Sequence, residues 1–195
     1  NPTVSGIAVA ATTVTASGAT TLSGAFTSIG IDDNATANSI TIDSTGAVTK
    51  PLTPAFFVYN AVADLNVTGN GVQYTVLFDT ETYDQNADFN PATGTFTAPV
   101  SGRYFLQAAV STDAQTTTNT DGDIQLTTSN KSLAVYYNPG NMEGSASSGQ
   151  CTTGIQGVMD MDANDSATIK IRIYQGSQNI GLTANNSWFS GVLVA

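Results

Sequence analysis

From Asn90 to Ala108 the chain spells out a turn, an alternating strand, a second turn and a second alternating strand. Asn90-Pro91-Ala92-Thr93-Gly94 is a turn signal, and Phe96, Ala98 and Val100 then alternate with polar residues. Ser101-Gly102 is the next turn, after which Tyr104, Leu106 and Ala108 alternate again. Two sheet strands with buried faces turned to one core are the simplest structure this pattern allows, and they set the expectation of an all-β fold.

The same alternation recurs further along. Ala55–Tyr59 is an apolar first strand, and Asp123–Thr128 and Leu133–Tyr137 read as strands. Thr168–Tyr174 places Ile169, Ile171 and Ile173 on one face. Helix is expected to be nearly absent.

The spacing of Phe78, Asp84, Phe89, Phe96, Gly102 and Tyr104 resembles the signature of a C1q-like globular head. Leu106 stands where that family usually has Phe, and Ala108 where it has Phe or Tyr, both apolar replacements. Phe189 and Gly191 take the Phe-x-Gly places of the family's terminal strand, so the resemblance runs from Pro54 to Ala195. It implies a jelly-roll sandwich of the C1q/TNF-like type with about ten strands in two sheets. It also implies a homotrimer.

Residues 1–50 differ from the remainder, with Thr, Ala, Ser and Gly dominant and Phe26 as the lone aromatic. Ala11–Gly18 is echoed by Ala19–Gly24, and Ser39–Asp43 alternates ahead of a turn at Ser44-Thr45-Gly46. Such short strands cannot make a core alone, and they suit a β-rich fibrous segment in which three chains share one interior, or else a flexible linker. The phrase from Asn38 to Val48 resembles the shaft repeats of tailed-phage fibres. Two prolines in Lys50–Pro54 mark an extended boundary, dividing the chain into a stalk at 1–50 and a globular head at 51–195.

Charge narrows the partners. The chain of 195 residues has a formal net charge of −10 and five basic residues, which argues against nucleic acid. No apolar run approaches the roughly 18 residues of a membrane span, so neither membrane insertion nor an intact export signal is expected. Histidine is absent and Cys151 is the only cysteine, expected as a small buried hydrophobe in a strand. With no histidine to act as base and no pair of carboxyls that sequence can place across a cleft, catalysis is not expected.

Binding chemistry is sparse. Asp160, Asp162, Asn164 and Asp165 mimic the opening of a calcium loop, yet Ile171 occupies the place of its bidentate Glu, and a polar turn is the simpler account. Asp113, Asp121 and Asp123 flank a Thr-rich loop, and the resemblance to C1q-like heads, several of which hold calcium in acidic loops, makes them the candidate calcium ligands. Tyr136, Tyr137, Asn138 and Asn141 are the candidate binding residues, since Tyr rings stack on sugars and Asn side chains bond their hydroxyls. Recognition is expected in the loops around Tyr136–Asn141 and Asp113–Gly122, polar connections free to vary on a rigid scaffold.

These readings converge on a homotrimeric structural and adhesive protein at a virion surface, a fibre tip or spike. Its head would meet a host surface glycan or envelope receptor, and its N-terminal segment other virion proteins. The alternative is a secreted or cell-surface recognition protein of a host or bacterium, and a glycan-degrading enzyme comes third.

Overall fold

The computed structural model describes residues 40–142 and 149–195. A small antiparallel hairpin, β1 (Thr41–Ile42) and β2 (Val48–Thr49), precedes the head. The head runs through β3 (Ala55–Tyr59), β4 (Asp64–Thr68), β5 (Gln73–Thr75), β6 (Thr80–Gln85), β7 (Phe89–Asn90), β8 (Thr95–Thr97) and β9 (Gly102–Thr112). It continues with β10 (Gly122–Thr128), β11 (Ser132–Tyr137), the single helical turn α1 (Pro139–Met142), β12 (Cys151–Met161), β13 (Ser166–Ile173), β14 (Ile180–Leu182) and β15 (Trp188–Leu193). It is a two-sheet, all-β jelly roll. Thirteen strands among the described residues, β3 to β15, exceed the expected ten. The excess comes from fragments such as β4, β5, β7 and β14, where bulges and turns break longer ladders.

Every described pairing is antiparallel. In the first sheet β9 is central, with β12 on one side and β15, β3 and β6 in succession on the other. β14 and β4 extend the sheet beside the far end of β9. The second sheet runs β11, β10, β13, β8, β7, with β5 also on β13.

Inward residues of both sheets meet in one core. Phe56 lies at its centre, with ring centroids 4.7 Å from Phe96, 4.9 Å from Phe189 and 5.6 Å from Phe89. Ile124, Leu126, Ile169, Ile171 and Ile173 come from the second sheet, all fully buried. Leu106 and Ala108 are buried too, so the replacements at those positions keep the packing apolar. The alternation after Pro91 holds for Phe96 and Ala98 but not for Val100, which is 46% exposed. β8 ends at Thr97, and Val100 lies beyond it in the turn, where its carbonyl accepts the Tyr104 hydroxyl at 2.7 Å.

The signature residues are structural. Asp84 accepts the backbone N–H groups of Asp88 (3.1 Å) and Phe89 (2.9 Å), closing a turn in which Asn86 and Ala87 both adopt positive φ. A Cβ on Gly191 would come within 2.5 Å of Phe56 and 2.6 Å of Leu106, so the core admits only glycine there. A Cβ on Gly102 would meet the Ala195 carbonyl at 2.6 Å.

Asp88 is the weak point of that turn. Burial first, and the charge of Asp84 second, push its carboxyl above the usual range, and its Oδ2 is buried without a partner. An acid whose folded pKa is raised costs stability when ionised, and the cost disappears below the unfolded value of 3.8. Asp88→Asn is therefore expected to raise the unfolding midpoint at neutral pH. Thermal melts should show the gain vanish at about pH 3, where both forms are neutral.

The hairpin ahead of the head turns on Asp43, whose carboxylate accepts from Thr45 N–H (2.8 Å), Thr45 Oγ1 (2.7 Å) and Ala47 N–H (3.0 Å). Ile42 and Val48 face each other in its register and are exposed. Gln85 ties the connector down, Nε2 donating to the carbonyls of Lys50 (3.0 Å), Pro51 (2.6 Å) and Thr53 (2.8 Å). The repeats at 11–24 and the rest of the expected shaft before residue 40 lie outside the described residues.

Candidate functional site

Strand alternation separates the residues grouped as one binding site. Tyr136 and Tyr137 are adjacent in β11, so they project from opposite faces of the sheet. Tyr136 is outside and 70% exposed. Tyr137 turns in across Gly122 toward Cys151, its hydroxyl buried and without a partner, and burial pushes its phenol well above the usual range. Asn138 accepts the Asn141 N–H at 3.1 Å and so caps α1. Asn141 is exposed. The four do not converge on one ligand position.

Nor do the three acids. Asp123 is 1% exposed and engaged by Arg172, whose Nε and Nη2 both donate to Oδ2 at 2.9 Å. Asp113 accepts the Gly181 N–H at 3.2 Å, and Asp121 is exposed. Among the described residues no group of three acids, thiols or imidazoles is gathered as a metal would need. Asp160 lies in β12, and Asp162 to Asp165 form a turn closed by Asp165, which accepts the Asp162 N–H at 2.8 Å, with Asn164 at φ 75°.

The loop from Asp113 to Gly122 is less free than its composition suggests. Asn119 is buried, accepting from Thr116 N–H at 2.9 Å and donating to the Tyr174 carbonyl at 3.1 Å. Its own carbonyl accepts the Gly140 N–H at 2.8 Å, binding this loop to α1. Gln115 is buried beneath, its Nε2 bonded to Thr112. Cys151 lies in the same region, its Sγ 3.4 Å from Met142 Sδ, and burial raises its thiol pKa. These polar residues build the end of the sandwich; they are not free to vary.

The tertiary structure instead presents two outer sheet faces of unlike character. On the first sheet Tyr83, Phe57, Trp188, Phe105, Val158 and Val192 project outward. Phe57 stacks on Trp188 with centroids 5.8 Å apart and lies 6.4 Å from Tyr83. Beside them a cleft of about 440 Å³ is lined by Trp188, Gln107, Ala109, Gly154, Gln156 and Val135. Trp188 is thus half-buried on the outside, not in the core.

The outer face of the second sheet is polar and ordered. Tyr136, Asp123, Arg172 and Gln73 align across β11, β10, β13 and β5, with Ala134, Gln125, Lys170 and Thr75 as the next row. Gln73 donates to Gln125 (3.2 Å), Gln125 donates to Asp123 (2.6 Å), and the Arg172 guanidinium lies 4.9 Å over the Tyr174 ring. Only Tyr136 and Asp123 of this face were singled out from sequence. Alternation in Thr168–Tyr174 already opposes Lys170 and Arg172 to the three buried isoleucines, but which strands flank them is a matter of topology.

The C1q domain family model matches residues 55–194. Among solved structures, the globular domain of zebrafish complement 1qA protein is 18% identical, with a TM-score of 0.49, covering 73% of this chain and 98% of that one. Murine APRIL at pH 8.5 is 10% identical, with a TM-score of 0.48, covering 73% of this chain and 99% of that one. No curated protein matches the chain.

Proposed function

The chain belongs to the C1q domain family, and from that premise we propose that it is a homotrimeric adhesive head on a fibrous N-terminal stalk. In this proposal it stands at a virion surface, binds a host glycan or envelope receptor, and joins other virion proteins through its N-terminal segment. It acts by binding and not by catalysis.

The observation that carries the proposal is the apolar outer face of the first sheet. Phe57, Tyr83, Trp188, Phe105, Val158 and Val192 all project from this face, crossed by one polar row of Ser190, Gln107 and Gln156, on a chain with only 10% charged residues. A patch of this kind on a folded domain marks a surface that another protein covers. Two further copies of the chain satisfy it in a closed ring, since cyclic assembly leaves no copy of the patch uncovered. The hairpin supports the same arrangement, because a lone two-stranded hairpin with Ile42 and Val48 in water is marginal and gains from neighbours. Three identical weak sites on one trimer then act together, the second and third contacts being effectively intramolecular.

Light scattering at micromolar concentration is expected to give the trimer mass, and a stable monomer would overturn the assembly. The adhesive part is tested by comparing the trimer with a monomeric variant on intact target cells, where the trimer should bind at least tenfold more tightly. Equal apparent affinity would remove multivalency from the mechanism.

A further inference from the structure

The outer face of the second sheet carries two ordered rows of mostly polar side chains across four strands. Neighbouring strands lie about 4.8 Å apart and alternate residues about 7 Å apart, so the two rows from β11 to β5 cover about 14 Å by about 7 Å, room for a short oligosaccharide. Tyr136, a residue 70% exposed, stands at one side with only Ala134 beside it on that face of the strand, which suits its ring to stacking on a sugar. Gln73, Gln125 and Thr75 supply amide and hydroxyl partners across the remainder.

Charge decides the class of sugar. The chain has five basic residues against fifteen acidic ones, yet two of the five, Lys170 and Arg172, occupy consecutive outward positions of β13. Arg172 with Asp123 is the only ion pair among the described residues, so Lys170 has no carboxylate partner among them. Asp123 holds Nε and Nη2 of Arg172, and the Tyr174 ring lies against the guanidinium, which fixes its orientation and leaves Nη1 without a described partner. One unpaired ammonium beside one oriented guanidinium edge complements a single carboxylate. A polyanion is disfavoured by the net charge of −10.

We propose that this platform binds a saccharide bearing one carboxylate, Tyr136 stacking on a pyranose ring while Lys170 and the free edge of Arg172 hold the acid. The proposal rests on the adhesive function above and moves its site from the loops to the sheet face. Arg172 is the oriented donor, Asp123 the residue that positions it, and Lys170 the discriminating charge.

The test is titration of the full chain with matched pairs that differ in the acid: sialyllactose against lactose, and cellobiouronic acid against cellobiose. The two pairs separate a sialic acid from a uronic acid as the source of the carboxylate. In at least one pair the acidic member is expected to bind at least fivefold more tightly. Lys170→Gln should bring that acid down toward its neutral partner, whereas Tyr136→Ala should weaken both members alike, and Lys50→Gln should change neither. Both positions are on the surface, and unchanged melting curves will show that the variants fold. Equal binding of acid and neutral sugar in both pairs overturns the proposal, as does a preference that survives Lys170→Gln. If the protein carrying Tyr136→Ala and Lys170→Gln together still adheres to target cells as a trimer, the platform is the wrong site while the adhesive function stands. If the sugar preference holds but trimer and monomer adhere equally, the platform stands and multivalent adhesion falls.

Discussion

Tyr104→Ala is expected to lower the stability of the head by about 3–5 kcal/mol, the range for emptying a buried aromatic site. Tyr104 is fully buried in β9, tilted against Phe96 with centroids 5.5 Å apart. Its neighbours in register, Met159 on β12 and Leu193 on β15, belong to strands on both sides of β9, so neither can move into the space without dragging a ladder. Its hydroxyl also donates to the Val100 carbonyl at 2.7 Å, fixing the turn that leads into β9. Tyr104→Phe separates the two contributions. It keeps the ring and loses only the hydrogen bond, so about 1 kcal/mol is expected for it. Denaturant melts at several protein concentrations give both values, because assembly adds a concentration-dependent term to apparent stability. An unchanged midpoint for Tyr104→Ala would contradict its place in the core.

Val158→Asp is expected to convert the proposed trimer into monomers at micromolar concentration while leaving the fold of each monomer intact. Val158 projects from β12 and is 59% exposed in the single chain, opposite Phe105 in register. A carboxylate there costs the isolated head almost nothing, because surface substitutions are usually within about 0.5 kcal/mol. In the assembly three copies of the charge would have to be buried against aromatic rings, each without a partner, at a cost of several kcal/mol per trimer. Thr127→Asp, on the outer face of the second sheet, is the control and should leave assembly unchanged. A Val158→Asp protein that still scatters as a trimer would show that this face is not the interface.

Most of the signature residues were legible through the family resemblance, and two of them also through local pattern. Phe96 and Tyr104 follow turns and are core-facing by alternation, whereas the turn that Asp84 closes appears only in the structure. Val100 failed because alternation predicts burial only while the strand continues, and β8 ends three residues earlier. The candidate binding residues do not converge for a related reason. Tyr136 and Tyr137 are adjacent in sequence, and adjacency in a strand means opposite faces. The acids around Asp113 and Asp123 were grouped by proximity along the chain, but Asp123 is drawn to Arg172, forty-nine residues away, by the pairing of β10 with β13.

By itself the sequence determined an all-β head, its core faces and its family, since periodicity, turn residues and aromatic spacing act over a few residues and survive any choice of partner strand. Only the tertiary structure decided what the surface is. The aromatic face of the first sheet is assembled from β3, β6, β9, β12 and β15, and the Tyr136–Arg172–Lys170 platform from β5, β10, β11 and β13. The physical reason is that a strand's outward residues are chosen by what lies beside them across the sheet. Those neighbours come from hydrogen-bond registers between segments as distant as Ala55 and Val192, which no local pattern records.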